Sequence, residues 1–232
     1  IDEEQMWDEA GRRHEDAFQL MHDCLSWCRE AGLRVIVDLH IVRSHHFNKE
    51  VRPLWTDPAE QETFIALWRD LSSALREYPV SLVAYELLNE AVAEDPESWN
   101  RLVARTVAAI RESEPNRTLV IGSNHYKSVE TFDELSIPRD DPHILLSFHY
   151  YTPFLLTHYN ASWTFLKGYS GPVSYPGLLI SEAAHQELTE TGQQQVEPWV
   201  GNRYDKEWIR QQWEAPIRKA REWGLPLYCG EF

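Results

Sequence analysis

VSLVAYELLNE, residues 80–90, is apolar at nearly every position until it stops at an amide and an acid, and AVAED then leads into polar chain. A strand with one face in water alternates apolar and polar residues. A nearly continuous apolar run fits a strand buried on both faces, as in a parallel sheet covered by helices. Glu90 therefore stands where a buried strand gives way to a loop. A carboxylate there is either an incidental edge residue or a positioned chemical group, and the rest of the chain has to decide between them.

The same pattern recurs on both sides of this stretch. GLRVIVDLH (32–40), RTLVIGSNHY (117–126), HILLSFHYYTP (143–153) and LPLYCGEF (225–232) are each short, apolar and closed by polar residues. Helical periodicity lies between them. Phe18, Met21, Leu25 and Cys28 form one stripe of a helix over 14–31, which Gly32 ends in the left-handed conformation. Asp57-Pro58 and Asp95-Pro96 each pair an N-cap with proline at the first helical position. The first opens a helix carrying Phe64, Leu67, Trp68, Leu71 and Leu75, and the second one carrying Trp99, Val103, Val107 and Ile110. A short helix is expected near 127–135, and a longer one over 205–223, broken at Pro216 and ended by Gly224. The segment 152–204 is too polar and too rich in glycine, proline and aromatic residues to be regular throughout. Loops of that length in a compact domain are usually functional.

Strands alternating with helices imply an α/β fold with a parallel sheet, either open and doubly wound or closed as a barrel. No glycine-rich phosphate loop follows any strand, which argues against the nucleotide-binding version. Chemically capable side chains instead close nearly every strand: Asp38 and His40, Asn89 and Glu90, Asn124, His149 and Tyr151, and Glu231. Collection of the site at the C-terminal ends of the strands is the mark of a (β/α)8 TIM barrel. A single partial barrel domain over residues 1–232 is the expectation.

Composition sets outer bounds. The chain has 232 residues, 43% of them hydrophobic, enough for a sizeable core. Its 22 basic and 37 acidic residues give a formal charge of −15, a field that disfavours nucleic acid and anionic membrane surfaces as partners. No apolar run approaches the roughly 20 residues that span a bilayer. The first residue is Ile rather than Met and no targeting leader is visible, so a processed, trimmed or partial chain is expected. Cys24, Cys28 and Cys229 are odd in number, and the first two lie four apart on a helix, so burial as small apolar residues is expected rather than a disulfide. Among ten tryptophans, Trp7, Trp27, Trp68, Trp208, Trp213 and Trp223 fall in helical stretches, where packing is expected. Trp55, Trp163 and Trp199 fall in loops, where packing and ligand stacking remain equally open.

Glu90 and Glu231 each end a strand, 141 positions apart. Two carboxylates at one barrel mouth are what glycoside hydrolysis requires, one protonated to donate to the leaving oxygen and one ionised to attack the anomeric carbon. A gap of about 5–5.5 Å gives retention of configuration, and one of about 6.5–9.5 Å leaves room for a water and gives inversion. Ordinary surface ion pairs are the plain alternative. The neighbours weaken it: Asn89 places an amide beside the acid, His149 and Tyr151 share a strand face, and His40 adds an imidazole at another strand end.

DLH, YELLNE, IGSNHY, SFHYYTP and LYCGEF, in that order, resemble glycoside hydrolase family 5, the cellulase family of (β/α)8 barrels. The likeness runs from that family's third strand to its seventh, and the preceding helix. It implies a retaining hydrolase with Glu90 as acid/base and Glu231 as nucleophile. It also implies that Asn89 binds the 2-hydroxyl of the sugar at the cleavage point. His149 and Tyr151 match the H-x-Y pair lining that subsite, and His40 the histidine closing the third strand. Trp163 is a candidate stacking residue. Neither a metal nor an organic cofactor is implied. Burial and the charge of Glu231 are expected to raise the pKa of Glu90 until esterification of Glu231 removes the repulsion. A secreted or periplasmic location follows from the resemblance, since polymeric glucan cannot enter a cell.

The family's arginine closing strand two and its usual tryptophan closing strand eight have no counterpart, and strands one, two and eight are absent from the sequence. Five strands cannot close the barrel, so the missing part of a longer enzyme, or a complementary chain, is expected to complete it, and the piece alone to be poorly soluble or inactive. β-1,4-Glucan is the leading substrate, with β-mannan and β-1,3-glucan as alternatives. A noncatalytic carbohydrate-binding barrel and a metal-dependent hydrolase using His40, His45, His46 and His149 are the other classes, although His45-His46 reads as an exposed loop pair.

Overall fold

A computed structural model describes residues 1–232. Its centre is a five-stranded, wholly parallel sheet in the order β1-β2-β3-β4-β7. The strands are β1 (Val35–Asp38), β2 (Val83–Glu86), β3 (Leu119–Gly122), β4 (Ile144–His149) and β7 (Leu227–Glu231). Two further strands, β5 (Gly177–Leu178) and β6 (Arg203–Tyr204), form a separate antiparallel ribbon. The sheet curls into an incomplete (β/α)8 barrel with helices alternating along it.

All five apolar runs of the sequence carry the main strands. The helix Pro58–Leu75 crosses from β1 to β2 and the helix Pro96–Arg111 from β2 to β3. Each begins as the Asp-Pro pair predicts: Asp57 accepts from the Ala59 amide and Asp95 from the Glu97 amide. Gly32 and Gly224 both take positive φ, and the amides of Leu33 and Leu225 return to the carbonyls of Cys28 and Ala220, closing Schellman motifs. Trp68 and Trp99 carry helix-to-sheet packing, both fully buried, with indole N–H groups donated to the carbonyls of Leu87 and Gly122.

Burial falls toward the outer strands. β3 is buried at every position, whereas β7 is partly or fully exposed along its length. Residues 1–3 run beside the end of β1, with the Ile1 ammonium donating to Asp38 O and the His40 amide to Ile1 O. No helix is long and apolar enough to cross a membrane.

Four local expectations are corrected. The helix near 127–135 does not form: His125, Tyr126 and Lys127 all have positive φ, and only a short 3-10 turn, Phe132–Glu134, follows. The C-terminal helix breaks at Trp213 rather than Pro216, because Pro216 lies in the first turn of Glu214–Trp223, where a missing N–H costs nothing. None of the three cysteines is buried; Cys24 faces solvent because Phe18, Met21 and Leu25 take the covered side of its helix. Trp27, on the same helix, is exposed as well. The stretch 152–204 proves to have a small core of its own, with Leu155, Leu166, Tyr169, Ile180, Val196 and Trp199 packed together.

Candidate active site

Glu90 follows β2 with φ of +41°, a conformation that non-glycine residues rarely adopt and that costs on the order of 1–3 kcal/mol. Its surroundings hold it there. The Asn89 amide donates to Leu39 O at 3.2 Å, tying the turn to the end of β1. His45 Nε2 lies 3.2 Å from the carbonyl oxygen of Glu90, and a ring nitrogen facing a carbonyl must carry the proton. On the far side, Asn124 makes a double amide clamp to Ala93, 2.8 Å in each direction, and the Tyr126 amide donates to Ala91 O.

His45 is the clearest departure from the sequence reading. Expected in an exposed pair, it is fully buried with its ring edge-on to Trp55 at 5.1 Å. Burial lowers its pKa to about 4, so it is a neutral donor around neutrality. Trp55 thereby serves packing, against both His45 and Trp99.

Glu231 closes β7. The β4–β7 register slips at Phe148/His149, so that Phe148 pairs with Cys229 and His149 with Glu231, passing over Gly230. A Cβ at residue 230 would stand 3.2 Å from His149 Nε2 and 3.2 Å from Ser147 Oγ, so glycine gives the imidazole its place beside β7. His149 is 95% buried and its Nδ1 lies 2.9 Å from Glu90 Oε1 and 3.6 Å from Glu231 Oε2. Tyr151 donates its phenol to Glu231 Oε2 at 2.7 Å. Burial, then that hydrogen bond, raises the pKa of Tyr151, which keeps it protonated as a donor. One atom each from Glu90, His149 and Glu231 can be chosen so that all three lie within 4.8 Å of one another, a spacing that would also surround a divalent cation.

A second chain of contacts leads in from β1. His40 Nδ1 is 2.7 Å from Asp38 Oδ2 and its Nε2 is 3.4 Å from Asn89 Nδ2. The Asp38 hydrogen bond raises the pKa of His40. Asp38 fixes the ring, and the ring fixes the amide beside Glu90.

Of the seven residues singled out in the sequence, six join this network: His40, Asn89, Glu90, His149, Tyr151 and Glu231. Trp163 does not; it is 80% exposed and makes none of these contacts. Of the histidines considered for a metal centre, His40 and His45 are engaged as described and His46 packs on Phe47, so that only His149 belongs to a close group of potential ligands. Beneath Glu90, Glu86 forms a buried ion pair with Lys127, whose side chain fills the space over Gly122. Three successive left-handed residues, at φ of 49°, 63° and 55°, carry Lys127 there, a path no helix or strand pattern signals. A concavity of about 350 Å³ lined by Arg52, Trp55, Val92, Glu94 and Ser98 lies between the loops after β1 and β2 and includes neither carboxylate.

The model of the cellulase family, glycosyl hydrolase family 5, matches residues 4–232. The chain belongs to glycosyl hydrolase family 5. Endoglucanase C of Acetivibrio thermocellus is 32% identical to this family 5 chain over 231 residues, covering 97% of it and 65% of the relative. Cellodextrinase A of Ruminococcus flavefaciens is 27% identical over 221 residues, covering 94% and 58%. The chain thus spans somewhat less than two thirds of the length of these relatives. Among solved structures, Thermotoga maritima Cel5A in complex with cellobiose superposes with a TM-score of 0.69 at 22% identity, covering 97% of this chain and 62% of that one. This likeness agrees with the barrel architecture of the family.

Proposed function

We propose that this family 5 chain is the larger part of a β-1,4-glucan hydrolase that acts with retention of configuration, with Glu90 as acid/base and Glu231 as nucleophile. The observation that carries this reading is the approach of the two carboxylates, an oxygen of each within 4.8 Å, with the His149 imidazole between them. An approach of this size between the nearest oxygens is compatible with the short carboxyl separation that goes with direct attack by a carboxylate.

In the first step Glu231 Oε attacks the anomeric carbon as the glycosidic C–O bond breaks. Glu90 gives its proton to the departing oxygen, leaving a glycosyl ester on Glu231. In the second step Glu90, now a carboxylate, takes a proton from water while the water oxygen attacks the same carbon. The ester bond then breaks and both acids return to their starting states. The hydrogen bond from Tyr151 orients Glu231 for attack on one side of the sugar. Asn89, held by His40, places an amide for a sugar hydroxyl.

β-1,4-Glucan is preferred because relatives across almost the whole chain are named endoglucanases. A polymeric substrate places the site of action outside the cytoplasm, so secretion or export to a periplasm is part of this reading.

The test is hydrolysis of soluble β-1,4-glucan, β-mannan and β-1,3-glucan by the whole protein of which this chain is the larger part, with Glu90→Gln and Glu231→Gln assayed alongside. Cleavage of the β-1,4-glucan, lost by roughly 10²–10⁴-fold in each variant, is expected. Preference for another polymer would move the substrate assignment. Full activity in either variant would overturn the roles, and binding without cleavage would point to a noncatalytic barrel.

A further inference from the structure

The carbonyl oxygen of Glu90 receives no backbone amide; its one donor is the His45 imidazole, with Nε2 at 3.2 Å. That contact is also the only polar one the imidazole makes, because Nδ1 is buried without a protein partner. A residue kept at this position for packing alone would be better served by an apolar ring, since burying an unpaired polar nitrogen costs stability. The bond to Glu90 is what the imidazole offers in return.

The ring is supported from behind. Val42 and His45 exchange backbone hydrogen bonds at 3.1 and 2.9 Å, which closes a tight turn over Arg43 and Ser44. Arg43 fastens that turn to the first residues of the chain through Glu3 and the Trp7 carbonyl, and the Leu54 amide donates to Ser44 O. The imidazole rests edge-on against Trp55, and Trp55 in turn against the fully buried Trp99. A run of fixed contacts thus leads from the core to one carbonyl. Burial lowers the pKa of His45 to about 4, so the donor at its end is uncharged around neutrality.

We propose that His45 is a positioning residue for proton donation: by holding the carbonyl of Glu90 it fixes the backbone from which the Glu90 carboxyl reaches the departing sugar oxygen. This rests on the hydrolase reading above. The conformation at Glu90, with φ of +41°, is one that an unsupported glutamate would leave. The chain before it is tied through the Asn89 amide and the chain after it through Asn124 and Ala93, so the peptide between Glu90 and Ala91 is the link that His45 alone secures. A turn of that peptide shifts Glu90 and draws its carboxyl away from His149 Nδ1, now 2.9 Å distant. Misplacement of a reacting group by about 1 Å is enough to cost roughly a hundredfold in rate.

A misplaced acid has a signature that a poorly folded protein lacks. A departing sugar oxygen needs a proton, whereas 2,4-dinitrophenolate leaves without one. The ratio kcat/KM covers the steps up to formation of the glycosyl ester, so it senses the acid only with the first kind of leaving group.

The test measures kcat/KM of the whole protein, of which this chain is the larger part, on a β-1,4-glucan tetrasaccharide and on the 2,4-dinitrophenyl glycoside of the disaccharide. His45→Phe keeps a ring against Trp55 without the donor. It is expected to lower kcat/KM for the tetrasaccharide about tenfold to hundredfold, through kcat, and that for the dinitrophenyl glycoside far less. His45→Gln keeps an N–H near the same place and is expected to retain most of the tetrasaccharide rate. His45→Met removes the donor with a flexible apolar chain and makes the same comparison if the phenylalanine variant folds poorly. Equal falls on both substrates, or no fall on either, in the folded variants would overturn the role of His45 alone. Hydrolysis of neither substrate by the unsubstituted protein would instead overturn the hydrolase reading, and this role with it.

Discussion

Tyr151 donates its phenol to Glu231 Oε2 over 2.7 Å, from the chain just beyond the strand that pairs with β7. The acid's orientation therefore depends on a neighbouring strand as well as on its own. Tyr151→Phe removes the donor and keeps the ring against His158. The expected result is a fall in kcat/KM of about tenfold to hundredfold with little change in melting temperature. Steady-state kinetics beside a thermal melt checks this, and an unchanged rate would show that Glu231 needs no such partner.

The Glu86–Lys127 ion pair lies beneath the turn that presents Glu90, with both residues buried. Lys127→Met leaves a buried carboxylate without its cation, and a loss of about 3–5 kcal/mol is expected in denaturant unfolding. The double variant Glu86→Gln/Lys127→Met is expected to lose less than the single one, since no uncompensated charge remains. Additive losses would mean that the two residues do not act as a pair.

His45 makes stability fall on the acid side. Its pKa is about 4 in the folded protein against an ordinary 6.5, so the unfolded chain binds more protons between these values. Its contribution is therefore complete above 6.5 and is lost as the pH falls through 4, approaching about 3 kcal/mol. His40 acts in the opposite sense, because Asp38 raises its pKa; its contribution is present at low pH and lost as the pH rises through the folded value. Chemical denaturation from pH 7 to pH 4 is expected to give a shallower decline for His45→Gln than for the unsubstituted protein. Parallel declines would contradict this placement of His45.

The strand ends were legible in the sequence because burial on both faces writes a parallel strand as one apolar run, and the polar residues that close it then stand out. Asp57, Asp95, Gly32 and Gly224 were equally legible, since caps depend on local backbone chemistry. His45 was not. Its neighbour His46 and the polar chain around it look solvated, and only the three-dimensional approach of the Glu90 carbonyl and Trp55 buries it. Lys127 was hidden for a similar reason, its direction set by three left-handed residues that local propensity disfavours. The slip over Gly230 could be read as a flexible glycine in a strand but not as the place of the His149 ring. In the segment 152–204 no helix or strand is long enough to show periodicity, so Leu155, Leu166 and Trp199 were not visible as one core. Trp163, the aromatic singled out there, stands apart from them.

The most direct measurement is mass spectrometry of the whole protein, of which this chain is the larger part, after reaction with a 2-deoxy-2-fluoro glycosyl fluoride built on a β-1,4-glucan disaccharide, which slows release of the glycosyl ester. The expected result is a single covalent addition of the sugar that maps to the peptide containing Glu231 and is absent in Glu231→Gln. Attachment at another residue, or hydrolysis of the natural glucan with inverted configuration at the anomeric carbon, would contradict the assignment of Glu231 as nucleophile.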